Sequence, residues 1–189
     1  MKLIMLTRYI LVSLLFIVMM LGIAMCPAFG ATVEEQVKVF NETQQLCKIY
    51  RTKCTVDIVK HKELSAQTGP YGRILVSSGM IKRFNENQLR ATLYHEVGHV
   101  VFRHVETTAE YLYMCNIQRA CNKEYFDNMR RQNELQADRF ASYVLKFTGK
   151  KNELPEALLI LTPPDKLNET YPSHPSTAER IERIRRIAE

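Results

Sequence analysis

The sequence predicts an α+β domain, mostly helical, with a small β-sheet. Three observations carry this. Apolar residues recur at helical spacing through Leu89, Leu93, Val97, Val100 and Val101. A second long helical pattern runs from about Asn122 to Phe147. Two short runs, Thr55–Lys60 and Arg73–Ser77, are rich in β-branched and apolar residues, and each reads as a strand.

The first thirty residues differ from the rest. Lys2 and Arg8 precede an uncharged run from Tyr9 to Met25, and Pro27-Ala28-Phe29-Gly30-Ala31 offers small residues for cleavage after Gly30 or Ala31. This layout predicts a secretory signal peptide over residues 1–30. An uncleaved anchor is the alternative, and it would give membrane association through residues 9–25. Met25 before Cys26 is a poor match for a lipoprotein signal. Residues 31–189 then form a single domain, long enough for its own core. The whole chain carries a formal charge of +6. Without Lys2 and Arg8 the excess is too mild to demand nucleic acid, and none is expected as a partner.

Along the domain, Val33, Val37 and Phe40 predict a short amphipathic helix leading to Cys47. Thr55–Lys60 forms the first strand. Gln67-Thr68-Gly69-Pro70 breaks the chain. Arg73–Ser77 forms the second strand and ends near Gly79. For the next helix, Asn85 is the N-cap and Gln88 completes a capping box. The second long helix ends at Gly149 in a C′ position. Asn152–Leu161 forms a shorter helix, stopped by Pro163-Pro164. A terminal helix follows Pro175, with Ile181, Ile184 and Ala188 on its apolar side and its arginines on a solvated face. Beyond Cys26, four cysteines fall into two close pairs, and export implies the disulfides Cys47–Cys54 and Cys115–Cys121.

The stretch TLYHEVGHVVFRH, Thr92–His104, holds the chemistry. Positions four apart lie about 40° apart on a helix, so His95 and His99 project side by side. Two imidazoles so placed can bind one Zn²⁺, and Glu96, about 100° away, can take a proton from a water beside the metal. The arrangement is H-E-x-x-H. On a continuous helix His104 is about 140° from His99 and off the metal face, so it is read as incidental, as is His61.

Two histidines leave a catalytic zinc short of a ligand. NELQADRFA, Asn133–Ala141, supplies a candidate. Glu134 and Asp138 share one face with apolar neighbours, and buried acids cost several kcal/mol unless paired or metal-bound. Glu134 would be the third ligand, and Asp138 would accept a hydrogen bond from a ligating histidine. Salt bridges to Arg130, Arg131 or Arg139 are the structural alternative.

HEVGHVVFRH, then NELQAD, then SHPSTAERIERI resemble the gluzincin family that contains the protease HtpX and the prenyl-protein proteases, peptidase family forty-eight of the metallopeptidases. The likeness spans roughly Thr55–Ile187. It implies a zincin-like metalloprotease domain in which His95, His99 and Glu134 bind one zinc ion and Glu96 is the general base. It also implies that a small sheet or hairpin edges the cleft, with the strand at Ile74, Leu75 and Val76 pairing with an extended polypeptide substrate. Ser65-Ala66 stands where family members often have Asn-Ala. The likeness puts His174 near the metal, where it can stabilise an oxyanion or gate the open position. The expected activity is zinc-dependent endopeptidase action on envelope or exported proteins, in the periplasm or outside the cell. A catalytically silent or chaperone-like zinc-stabilised envelope module is the alternative.

Overall fold

The computed structural model describes residues 30–189. The signal or anchor assigned to residues 1–30 therefore lies almost wholly outside the described residues. Among the described residues no helix is long and apolar enough to cross a membrane.

Helix α1, Val33–Ile49, starts from a capping box in which Thr32 and Glu35 exchange side-chain and backbone hydrogen bonds. Its buried face is Val39, Thr43, Leu46 and Cys47. Of the apolar face expected at Val33, Val37 and Phe40, Phe40 packs against the core, but Val33 and Val37 are 76% and 52% exposed. Leu46 and Cys47 fix the phase, because the disulfide to Cys54 ties that end of the helix to the core. The helix is also longer than expected, at 17 residues.

Strand β1 is Thr55–Val59, β2 is Ala66–Thr68 and β3 is Arg73–Ser77. The sheet order is β1-β3-β2. β1 runs parallel to β3, from Thr55 opposite Arg73 to Val59 opposite Ser77. β2 folds back antiparallel, from Ala66 opposite Val76 to Thr68 opposite Ile74. The two expected strands are thus not a hairpin, and the segment read as a chain break supplies a third strand between them in sequence. β3 is central. Ile74 and Val76 are fully buried, and the ladder on both sides of Ile74, Leu75 and Val76 is taken. The assignment of these three residues as the substrate-pairing strand is therefore corrected: a strand that accepts a peptide needs a free edge, and β2 is the edge strand on the cleft.

Helix α2, Ser78–Arg83, follows β3 directly. Helix α3, Glu86–Val101, is the centre of the domain, with Asn85 and Gln88 forming the expected capping box. It packs against α1, β2 and three later elements: α4, His104–Gln118, α5, Lys123–Phe147, and α6, Glu153–Leu161. The terminal helix α7, Thr177–Ala188, is capped by Ser176 and packs on α5 and α6. α5 ends as expected, with Gly149 at φ 74°.

One buried ion cluster ties α1, α3 and α6 together. The Arg90 guanidinium, 1% exposed, contacts Glu42 at 2.8 Å, Glu153 at 3.1 Å and Glu86. The cysteines pair as expected, Cys47–Cys54 and Cys115–Cys121.

Candidate metal centre

His95 and His99 lie one turn apart on α3, and Glu134 faces them from α5. His95 Nε2 is 3.1 Å from His99 Nε2 and 3.4 Å from Glu134 Oε2. His99 Nε2 is 3.6 Å from Glu134 Oε1. Tetrahedral zinc with bonds of about 2.0–2.1 Å holds its donors about 3.3–3.4 Å apart. The three side chains therefore fit one zinc ion, and their two nitrogens and one carboxylate oxygen are the donor set of a catalytic site with an open position.

Each ligand is held from behind. His95 Nδ1 is 2.9 Å from Asp138 Oδ1, off the straight line of an ideal hydrogen bond, and has no other partner among the described residues. Arg180 on α7 grips Asp138 with two 2.7 Å bonds and reaches Glu134 Oε2 at 3.6 Å. The structural alternative for Glu134 and Asp138, pairing with nearby arginines of α5, does not hold. Their cation comes from another helix. Nor do all tail arginines face solvent: Arg183 and Arg186 do, whereas Arg180 points inward.

The reading of His104 as incidental is also corrected. Arg103 adopts the left-handed conformation, φ 56° and ψ 38°, and breaks the helix between α3 and α4. The break turns a position that would face away into one beside the site. His104 is buried, with Nδ1 2.9 Å from His99 Nδ1 and Nε2 3.1 Å from Gln136 Oε1.

Glu96 is buried, and Thr68 Oγ1 lies 2.8 Å from its Oε2 and 2.9 Å from its carbonyl oxygen. Thr68 belongs to β2, so the edge strand and the carboxylate are joined. The cleft they share holds about 540 Å³. One wall is β2 with its leading residues Leu64 and Ser65. A second is the apolar side of α6, at Leu154, Leu158 and Leu161. The third carries Arg130 and Glu134 from α5 with His174 and Arg180. His174 Nε2 is 4.0 Å from Glu134 Oε1, and its Nδ1 is 2.9 Å from Ser173 Oγ.

The charges follow this geometry. Burial pushes the Glu96 carboxyl up, against the pull of His95 and the Thr68 hydroxyl. Burial also opposes charge on Glu134 and Asp138, but cationic neighbours outweigh it. Glu134 is lowered by His95, Arg180 and His99, and Asp138 falls to about 2 under Arg180 and His95. Burial and the charge of His95 lower His99 to about 3. Burial opposes charge on His95 as well, yet Asp138 and Glu134 raise it to about 10. His104 and His174 are both lowered, chiefly by burial.

An α+β domain with His95, His99 and Glu134 converging beside Glu96 has the makings of a metallopeptidase. The sequence matches Peptidase family M48 over residues 30–123 and 113–188, and the chain belongs to that family of zinc-dependent metallopeptidases. Among curated proteins, none matches the chain.

The structure brings together His95, Glu96, His99, Glu134 and Asp138, all singled out in the sequence, and sets His174 on the same cleft. Sequence reasoning missed Thr68, His104, Gln136 and Arg180. For Arg180 a signal existed, since it follows Glu179 in the third motif, SHPSTAERIERI. The other three depend on a three-residue strand and a left-handed arginine that no local pattern marks.

Proposed function

We propose that the chain is an exported zinc endopeptidase that cleaves envelope or extracellular polypeptides bound in extended form. The carrying observation is the free carboxylate of Glu96, buried beside the three-ligand set and held by Thr68 of the edge strand. A purely structural metal gains nothing from a carboxylate there. Two disulfides support an oxidising compartment, and the N-terminal run at residues 9–25 supports export, with or without a retained anchor. No nucleic-acid partner is proposed.

Zinc held by His95, His99 and Glu134 would supply Lewis acidity toward the scissile carbonyl and acidify water. Glu96 takes the proton of the attacking water and returns it to the leaving amine. Thr68 steadies one Glu96 oxygen and leaves the other to move the proton. Raising the Glu96 pKa brings it nearer neutrality, which suits a group that must both accept and donate. Asp138, gripped by Arg180, fixes the His95 ring. The outer edge of β2 offers backbone groups to an extended peptide. The aliphatic wall of α6 favours an apolar substrate side chain beside the cleaved bond. His174, across the cleft, is placed to donate to the developing oxyanion or to gate the open position.

The test is Glu96→Gln. The substitution keeps size and polarity but cannot accept a proton at neutral pH. Zinc content should stay near one per chain, while cleavage of an unfolded protein such as casein falls by about 10²–10⁴-fold. Wild-type turnover in Glu96→Gln, with zinc bound, would show the mechanism to be wrong. Zinc binding with no cleavage by the wild type would favour the silent or chaperone-like module.

A further inference from the structure

We propose that His104 and Gln136 are positioning residues that set the tautomer of His99 and hold its Nε2 toward the metal. The inference rests on the zinc reading of the site but not on catalysis. A ligating His99 Nε2 must present a bare lone pair, so its proton sits on Nδ1. The atom 2.9 Å from that Nδ1 is His104 Nδ1, which must then accept. His104 is left with its proton on Nε2, and 3.1 Å away stands Gln136 Oε1, an acceptor. Each donor thus meets an acceptor along His99, His104 and Gln136. The opposite polarity would put a proton on His99 Nε2, between that nitrogen and Glu134, and close the site to a cation.

The backbone is shaped for this chain of bonds. The left-handed region is disfavoured for an arginine relative to ordinary helical backbone. Arg103 adopts that conformation between Val101 and His104, and His104 is buried as a result. Phe102 stacks on the His104 ring at 5.7 Å, and Phe140 meets Phe102 edge-on, so the ring cannot turn freely. The two metal-binding histidines are backed in different ways. A carboxylate–arginine pair stands behind His95, and a neutral imidazole–amide pair stands behind His99. A second carboxylate behind His99 would add another anion to a buried cluster that already holds Glu96, Glu134 and Asp138. The neutral pair orients the ring without that charge.

The experiment compares His104→Asn with His104→Leu in the full mature chain. Asn Oδ1 occupies the place of His Nδ1 and can accept from His99, whereas Leu has the same outline and cannot. Zinc affinity is read by competition with a chromophoric chelator, with no substrate present, and the melting temperature of each zinc-free variant is recorded alongside. His104→Leu should bind zinc about 10–100-fold more weakly than wild type, as loss of an outer hydrogen-bond partner does elsewhere. His104→Asn should recover most of that loss. Gln136→Leu should weaken binding several-fold in the native chain and have no effect in the His104→Leu background. If His104→Leu fails to fold, the single Gln136→Leu variant and the ¹⁵N spectrum of zinc-loaded wild type decide, with a bare His104 Nδ1 expected. Equal zinc affinity in the Asn and Leu variants, an unaltered Gln136→Leu, or a proton on His104 Nδ1 would overturn the proposal. Failure of the Glu96→Gln test with these results intact would sink the peptidase mechanism and leave the positioning role standing.

Discussion

Gly98 lies between the two histidines of the candidate metal centre, where α3 crosses α5. A β-carbon placed on it would stand 2.9 Å from Ala137 Cα and 3.2 Å from Ala137 Cβ. Carbon atoms settle at about 3.5–4.0 Å, so Gly98→Ala must move the helices apart locally by about 0.6 Å. The obstructing atoms are backbone and Cβ, so no rotamer change relieves the clash. Ala137 is followed by Asp138 and lies one turn after Glu134, so the displaced segment is the one that carries the third ligand and the partner of His95. Metal sites tolerate errors of about 0.2 Å in ligand position, and the required movement is about three times that.

Two stability terms oppose each other. Alanine gains about 1 kcal/mol over glycine as a helix former. Overpacking costs about 1–3 kcal/mol. Zinc-free Gly98→Ala should therefore be between unchanged and about 2 kcal/mol less stable in urea unfolding. Zinc affinity should fall by at least tenfold, read by chelator competition, because the ligand geometry is spoiled even where the fold survives. A variant that gains about 1 kcal/mol and binds zinc as tightly as wild type would show that the crossing at Gly98 is not tight and does not set the ligand spacing.

Two further outcomes follow from the charges. Without zinc, His95 titrates at about 10 instead of 6.5. Its contribution to stability is fully present below about 6.5 and is lost as pH rises toward 10, and at neutral pH a proton must leave His95 when zinc binds. Titration calorimetry of zinc into zinc-free protein, in buffers of different ionisation enthalpy, should report that release; no buffer dependence would contradict the raised pKa. Arg90→Met removes the cation shared by Glu42, Glu86 and Glu153, and should cost about 3–5 kcal/mol in urea unfolding, chiefly by leaving the buried Glu153 unpaired, since Glu86 keeps Lys38 at 2.8 Å and Glu42 is partly exposed. Zinc bound per folded chain should not change, since the cluster lies away from the ligands, and a loss of metal without a loss of stability would refute this separation.

The parts of the site legible in sequence are those that one helix fixes by itself. His95 and His99 are brought together by the period of α3, and the same period sets Glu134 above Asp138 on α5. Capping at Asn85–Gln88 and the stop at Gly149 are equally local, and both appear as expected. What the sequence hid depends on non-local pairing. β2 is three residues long, and only its ladder with β3 makes it a strand. Thr68 inherits its role from that ladder. Extending α3 through Arg103 puts His104 off the metal face, because an arginine carries no warning of a left-handed turn. The phase of α1 is only partly legible for a related reason: Val33, Val37 and Phe40 have the spacing of a buried face, but the disulfide at Cys47 ties another side to the core, where only Phe40 of the three packs.

The ligand set is also more than the sum of two motifs. His95 and Glu134 belong to different helices, and Arg180 of a third steadies Glu134 directly and His95 through Asp138. Arg180 on α7 bonds both oxygens of Asp138 and lies 3.6 Å from Glu134, so α7 orients a histidine on α3 and a carboxylate on α5 without touching the metal position. Asp138, lowered to about 2 by Arg180 and His95 against its burial, is ionised at neutral pH and stands 2.9 Å from His95 Nδ1 as an acceptor. The third motif, distant in sequence, thus contributes Arg180 behind the candidate ligands. It provides the cation that lets two buried carboxylates stand four residues apart on a core-facing helix. Without Arg180, burial would drive one of them to take up a proton, and a protonated Asp138 could no longer accept from His95 through that oxygen. Packing α7 onto α5 therefore sets the charge behind the candidate metal centre, and the sequence records it only as one inward arginine among several that face water.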